Sequence, residues 1–217
     1  MSTEPIYNEY TVKKFIHLCS FGLVKGLGRP IEGKMCVEAA IALAHNLPHQ
    51  DKNPSCVDND VATVKIALND CHWSSNEARA KGMVAIGIAQ LGSNEIVKGL
   101  FVEKLKLNSM KMILPYLIQK HYENQKDEKI LEWKVKFEKL EVLDDNLWKE
   151  FYSNYYYNYY FNHYGYYYYG YYNHYGYYYY GYFGEEFLLL VASTILQTLK
   201  DINSPGCKYL YLLGEVK

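Results

Sequence analysis

The sequence predicts an all-α fold: a compact multi-helix domain with a Tyr/Gly-rich low-complexity insertion before its last helix. Three observations carry this. Apolar residues recur at helical spacing along most of the 217 residues. Helix start and stop residues bracket those stretches. Between Tyr152 and Tyr182 the composition breaks, with 19 of the chain's 25 tyrosines and no Asp, Glu, Lys or Arg.

Residues 1–30 read as an N-terminal arm. Phe15, Leu18, Phe21 and Leu23 suit a short helix or extended segment, and Gly22, Gly26, Gly28 and Pro30 a following turn. Met35–Ala44 is apolar nearly all round, as expected of a helix at the centre of a core. Pro48 ends it, and His49–Pro54 is a polar connector rich in turn formers. Val57, Val61, Val64 and Leu68, spaced four, three and four, make one stripe of an amphipathic helix that stops at Asn69–Asp70.

Ser74 with Glu77 three residues on is a capping box for a helix over 75–91, with Met83, Ile86 and Leu91 inward and Gly92 as its stop. Asn94 is expected to cap a helix through Val97, Leu100, Phe101 and Leu105. Met112–Tyr122 forms another, with Pro115 either kinking it or in its first turn. Asp127 opens a charged helix with the stripe Ile130, Trp133, Phe137, Leu140, and a short helix follows from Asp145 to Tyr152. Phe187, Leu188, Val191, Ile195 and Leu199 mark a last helix over 185–200, which must return to the N-terminal bundle to bury its face. The expected division is therefore the arm 1–30, a discontinuous helical domain 31–151 with 185–203, the insertion 152–184, and a tail 204–217 with a short strand as one option.

Within the insertion, NHYGYYYYGYY at Asn162–Tyr172 is followed at once by NHYGYYYYGYF at Asn173–Phe183, an 11-residue unit duplicated with one change. Tyrosine alternating with glycine, without charge or proline, fits adhesive, self-associating sequence, for which Tyr164, Tyr166, Tyr168, Tyr175, Tyr177 and Tyr179 are the candidate residues. Passive expansion in a surface loop is the competing reading, since closure entropy rises slowly with loop length. Single-strand nucleic-acid binders set cations among their aromatics, and this block has none.

Charge and cysteine usage narrow the class. With 23 Lys+Arg against 24 Asp+Glu the net charge is -1, so no overall field draws the chain to nucleic acid or an acidic membrane. No apolar stretch approaches the ~20 residues of a membrane span, and MSTEPIYNEY lacks a basic region followed by an apolar core. Five cysteines without a CxxC pair argue against a disulfide framework or a zinc finger. A soluble, cytoplasmic protein with reduced thiols is expected.

The polar cluster with most site character is Glu38, His45, His49 and Asp51. Imidazole and carboxylate are usual ligands of divalent metals. Pro48 between the histidines breaks any shared helical face, so capping and turn chemistry is the simpler explanation. Cys36 or Cys56 with His45 or His49 as base would be a thiol nucleophile, against which stands the apolar run around Cys36. The knot at Asn69–Asp70 and Cys71–His72–Trp73 is explained by helix-end hydrogen bonding. There is no phosphate loop, dinucleotide fingerprint, HExxH or GxSxG, so no catalytic residue and no cofactor are assigned.

GKMCVEAAIALAHNLPHQDKNPSCV at Gly33–Val57, with KIALND at Lys65–Asp70 and IAQLG at Ile88–Gly92, resembles a helical domain of uncharacterised bacterial and phage proteins. The likeness covers roughly residues 29–92 and implies a helical fold. That family has no established activity to carry over, and the tyrosine repeat departs from it. The functional expectation is a non-enzymatic interaction or assembly protein, with a protein partner or self-association through the tyrosine-rich segment. The alternative is a small metal-dependent hydrolase using the cluster near residues 38–51.

Overall fold

The computed structural model describes residues 7–126, 128–155 and 184–215. The fold is all-α, and the low-complexity insertion precedes the last helix. Among the described residues the β-type pairing is a single antiparallel bridge between Gly28 and Met35. The described chain forms two compact units, 7–102 with 184–215 and 103–155.

In the first unit the expected arm is a docked helix, α1 (Glu9–Ser20). Asn8 and Thr11 form a reciprocal capping box, with the Thr11 N–H donating to Asn8 Oδ1 at 3.0 Å and the Asn8 N–H to Thr11 Oγ1 at 2.9 Å. Val12, Phe15, Ile16 and Cys19 fall at three- and four-residue spacing and are buried. Helix α2 (Val37–Ala44) is the core helix read from the sequence, stopped before Pro48 by Asn46 in the left-handed conformation (φ 57°). Asp58 caps α3 (Asn59–Asn69), whose end falls where the sequence placed it.

Helix α4 (Asn76–Ala89) is capped by Ser75, whose Oγ accepts from the Ala78 N–H at 3.0 Å. The expected cap, Ser74, lies one residue too early. Its hydroxyl donates instead to the Glu185 carboxylate at the start of the last helix, α8 (Glu185–Asp201). Helix α4 is the hub, in contact with α1, α2, α3, α8 and the C-terminal 3-10 run Pro205–Gly214. The approach is close: a Cβ on Gly87 would stand 2.5 Å from the Phe15 ring, and one on Gly206 2.1 Å from the Ile88 carbonyl oxygen.

The tail is thus not a strand. Three residues per turn bring Gly206, Tyr209 and Leu212 onto one face, and Gly206 and Leu212 are buried there. Pro205 supplies a preset φ at the start.

The second unit comprises most of α5 (Leu100–Gln125) with α6 (Ile130–Glu138) and α7 (Asp145–Tyr155). Where two helices were expected on either side of Asn108–Ser109, α5 runs through. Asn108 and Ser109 are buried, and Pro115 lies inside the helix, without an N–H for the Lys111 carbonyl. The segment at Asn94 is instead a 3-10 turn, Ser93–Glu95, entered through Gly92 at φ 79°. Met110, Leu114 and Ile118 of α5 pack with Ile130, Trp133, Phe137, Trp148 and Phe151. The Phe137 and Phe151 rings meet edge to face with centroids 5.1 Å apart. This separate aromatic core holds residues 103–155 together as a compact unit of their own. The charged helix starts at Ile130, and its expected opening residue, Asp127, lies outside the described residues.

Candidate functional site

The buried polar groups of the first unit gather along the seam of α2, α3 and α4. Glu38 on α2, Lys65 on α3 and Gln90 at the C-cap of α4 are 1%, 0% and 0% exposed. Lys65 Nζ contacts the Glu38 carboxylate and donates to Gln90 Oε1 at 2.6 Å. Each helix therefore contributes one member of the cluster. Burial pushes the Lys65 ammonium well below its usual pKa. Such a cluster fixes how three helices mate more than it adds stability, because desolvating two charges offsets much of their attraction.

A second knot closes the ends of the same helices. Asn69 Oδ1 accepts from the Val37 N–H at 3.4 Å, and its amide donates to the Val24 carbonyl at 3.2 Å and Asp70 Oδ1 at 2.9 Å. From α4 the Arg79 guanidinium reaches the carbonyls of Asn69 and Leu23, both at 2.9 Å, and of Cys71 at 3.4 Å. Its planar fork satisfies carbonyls at the end of α3 that the helix leaves unpaired.

The metal candidates do not come together. Glu38 is turned onto Lys65, His45 is the C-cap residue of α2, and His49 and Asp51 lie in the connector, Asp51 exposed. Among the described residues no group of three or more His, Cys, Asp or Glu is placed to hold a metal ion. Both ring nitrogens of His49 and the Asn53 Oδ1 are buried without a hydrogen-bond partner among the described residues.

Thiol chemistry fares similarly. Cys36 is the N-cap of α2, its Sγ accepting from the Ala39 N–H at 3.3 Å. Burial pushes the Cys36 thiol up, opposed in part by the Ala39 N–H and the Lys65 charge. Burial also raises Cys19, and lifts Cys71 to about 12. A protonated, buried thiol is a poor nucleophile. Cys56 is buried as well.

Sequence reasoning missed Lys65, Arg79 and Gln90. The signal was present: Val61, Lys65 and Leu68 share a four-and-three spacing, and Arg79, Met83, Ile86 and Gln90 continue it on α4. A charged residue on an apolar stripe, with Glu38 inside an otherwise apolar helix, announces a buried pair. The six tyrosines named for self-association, Tyr164, Tyr166, Tyr168, Tyr175, Tyr177 and Tyr179, lie outside the described residues. No described helix is long and apolar enough to cross a membrane. No family model, curated protein or solved structure matches the chain.

Proposed function

We propose that this protein is a non-enzymatic assembly protein: a helical scaffold that carries a tyrosine-rich segment for association between copies. The observation that carries the reading is a division of chemistry along the chain. The polar groups a catalytic site would need, Glu38, Lys65, Gln90 and Arg79, are engaged in helix-to-helix bonds. The conspicuous remaining chemistry in the sequence is the duplicated, uncharged tyrosine unit between α7 and α8. Phenol rings offer large, rigid contact area at low side-chain entropy cost, and the absence of charge in the segment removes repulsion between copies. The resemblance of residues 29–92 to a helical family without known activity agrees with a scaffold role for the first unit.

Sedimentation velocity over a range of concentrations, on the full chain and on a variant lacking residues 156–183, tests this. The full chain associates as concentration rises, and the variant stays monomeric with its helical circular dichroism retained. Identical monomers in both cases contradict the proposal.

A further inference from the structure

The loop between α1 and α2 is held firmly and yet presents apolar side chains to solvent. Its main chain is tied to two helix ends and to its own returning stretch before α2. The Leu23 N–H donates to the Asn76 carbonyl at 3.0 Å, the Gly26 N–H to Asp70 Oδ1 at 3.0 Å, and the Val24 N–H to the Met35 carbonyl at 2.9 Å. Gly28 and Gly33 have φ of 70° and 72°, and Cβ atoms there would stand 2.1 Å from the Lys34 carbonyl oxygen and 2.6 Å from that of Phe21. The turn at 29–34 therefore folds back against Phe21, and only glycine permits it.

On this fixed frame Phe21, Leu27 and Ile31 are 45%, 37% and 52% exposed. Three cations, Lys25, Arg29 and Lys34, are exposed among them. The loop's one acid, Glu32, faces His17 at 3.8 Å. The chain has two arginines, and Arg79 is buried in the helix-end knot. Arg29 is the exposed one, and its guanidinium makes no hydrogen bond or ion pair with a described residue.

We propose that this loop receives the tyrosine-rich segment of a second copy of the chain, its rings stacking on Arg29 and packing against Phe21, Leu27 and Ile31. The inference rests on the self-association proposed above and names the receiving surface. The argument is complementarity. Tyrosine faces attract cations, guanidinium most often, and the segment between Tyr152 and Tyr182 holds 19 tyrosines but no cation of its own. The loop supplies what the segment lacks: a planar cation and two lysines, on the same short stretch as three exposed apolar side chains. Because the hydrogen bonds and glycines already fix the loop, binding costs the loop little conformational entropy.

The test is sedimentation of the full chain against Arg29→Ala, Arg29→Lys, Ile31→Ser and the control Lys98→Ala. These side chains are all exposed, and circular dichroism checks that each variant keeps its fold. Arg29→Ala and Ile31→Ser each weaken association about three- to tenfold, and Arg29→Lys by less, since it keeps the charge but loses the plane. Lys98→Ala matches the parent. If the full chain associates and all four variants associate equally, the loop is not the receiver while tyrosine-driven assembly stands. If loop substitutions weaken an association that survives deletion of 156–183, the loop meets a folded part of the second copy and the inference is overturned. A full chain that remains monomeric overturns both proposals.

Discussion

Lys65 is the residue on which the first unit's packing turns. Removing it alone leaves the Glu38 carboxylate buried without its partner, so Lys65→Met lowers stability by about 3–5 kcal/mol. Glu38→Gln with Lys65→Met loses less than that single change, because neither charge remains to be desolvated; urea midpoints of the two variants check this. The pH dependence follows from burial. The folded-state pKa of Lys65 lies below its free value of 10.5, so between the two the unfolded chain holds more protons. Stability from this residue is full above 10.5 and is lost as pH falls towards the folded value. The wild type therefore gains relative to the double variant as pH rises towards 10.5. A difference that falls with pH contradicts the assignment. At the same scale, the raised thiols of Cys19, Cys36 and Cys71 predict slow reaction with a thiol reagent at pH 8 in the folded protein and prompt reaction in urea.

Helix α4 shows what residue types reveal and what they leave open. The serine–glutamate signal located its start to within one residue: Ser74 stands at capping-box spacing from Glu77, while the cap itself is the adjacent Ser75. The choice was made by tertiary structure: Ser74 is drawn to Glu185 of α8, from a segment 111 positions away. Ser75→Ala is expected to cost about 1 kcal/mol in thermal or urea unfolding, and Ser74→Ala less, as an exposed contact. Gly87→Ala puts a methyl group against the Phe15 ring and costs about 1–3 kcal/mol, although alanine is the better helix former. Stripes gave α3, α6 and α8 because periodicity is local. Helix α5 was misread as two because Asn108, Ser109 and Pro115 are breakers by propensity. Burial of Asn108 and Ser109 outweighs those preferences.

At the scale of the molecule, the division into two units was the least legible feature. Nothing in the spacing of Met110, Leu114 and Ile118 says that they pack with Trp133 and Phe151 rather than with α4. The candidate site was legible as a list of polar residues but not as a cluster, because Glu38, Lys65 and Gln90 are brought together only by the fold. The two cores have separate tryptophan reporters, Trp73 in the first unit and Trp133 and Trp148 in the second. Phe137→Ala, which empties the centre of the second core at a cost of about 3–5 kcal/mol, is expected to lower the unfolding transition seen through Trp133 and Trp148 more than the one seen through Trp73. Single-tryptophan variants separate the signals. The central claim is that the helical units form a scaffold and the tyrosine-rich segment does the associating. Sedimentation velocity of the full chain beside the variant lacking residues 156–183 tests it most directly. Association confined to the full chain, with helical signal kept in the variant, is the result predicted. Equal behaviour of the two, whether monomeric or associated, would contradict it.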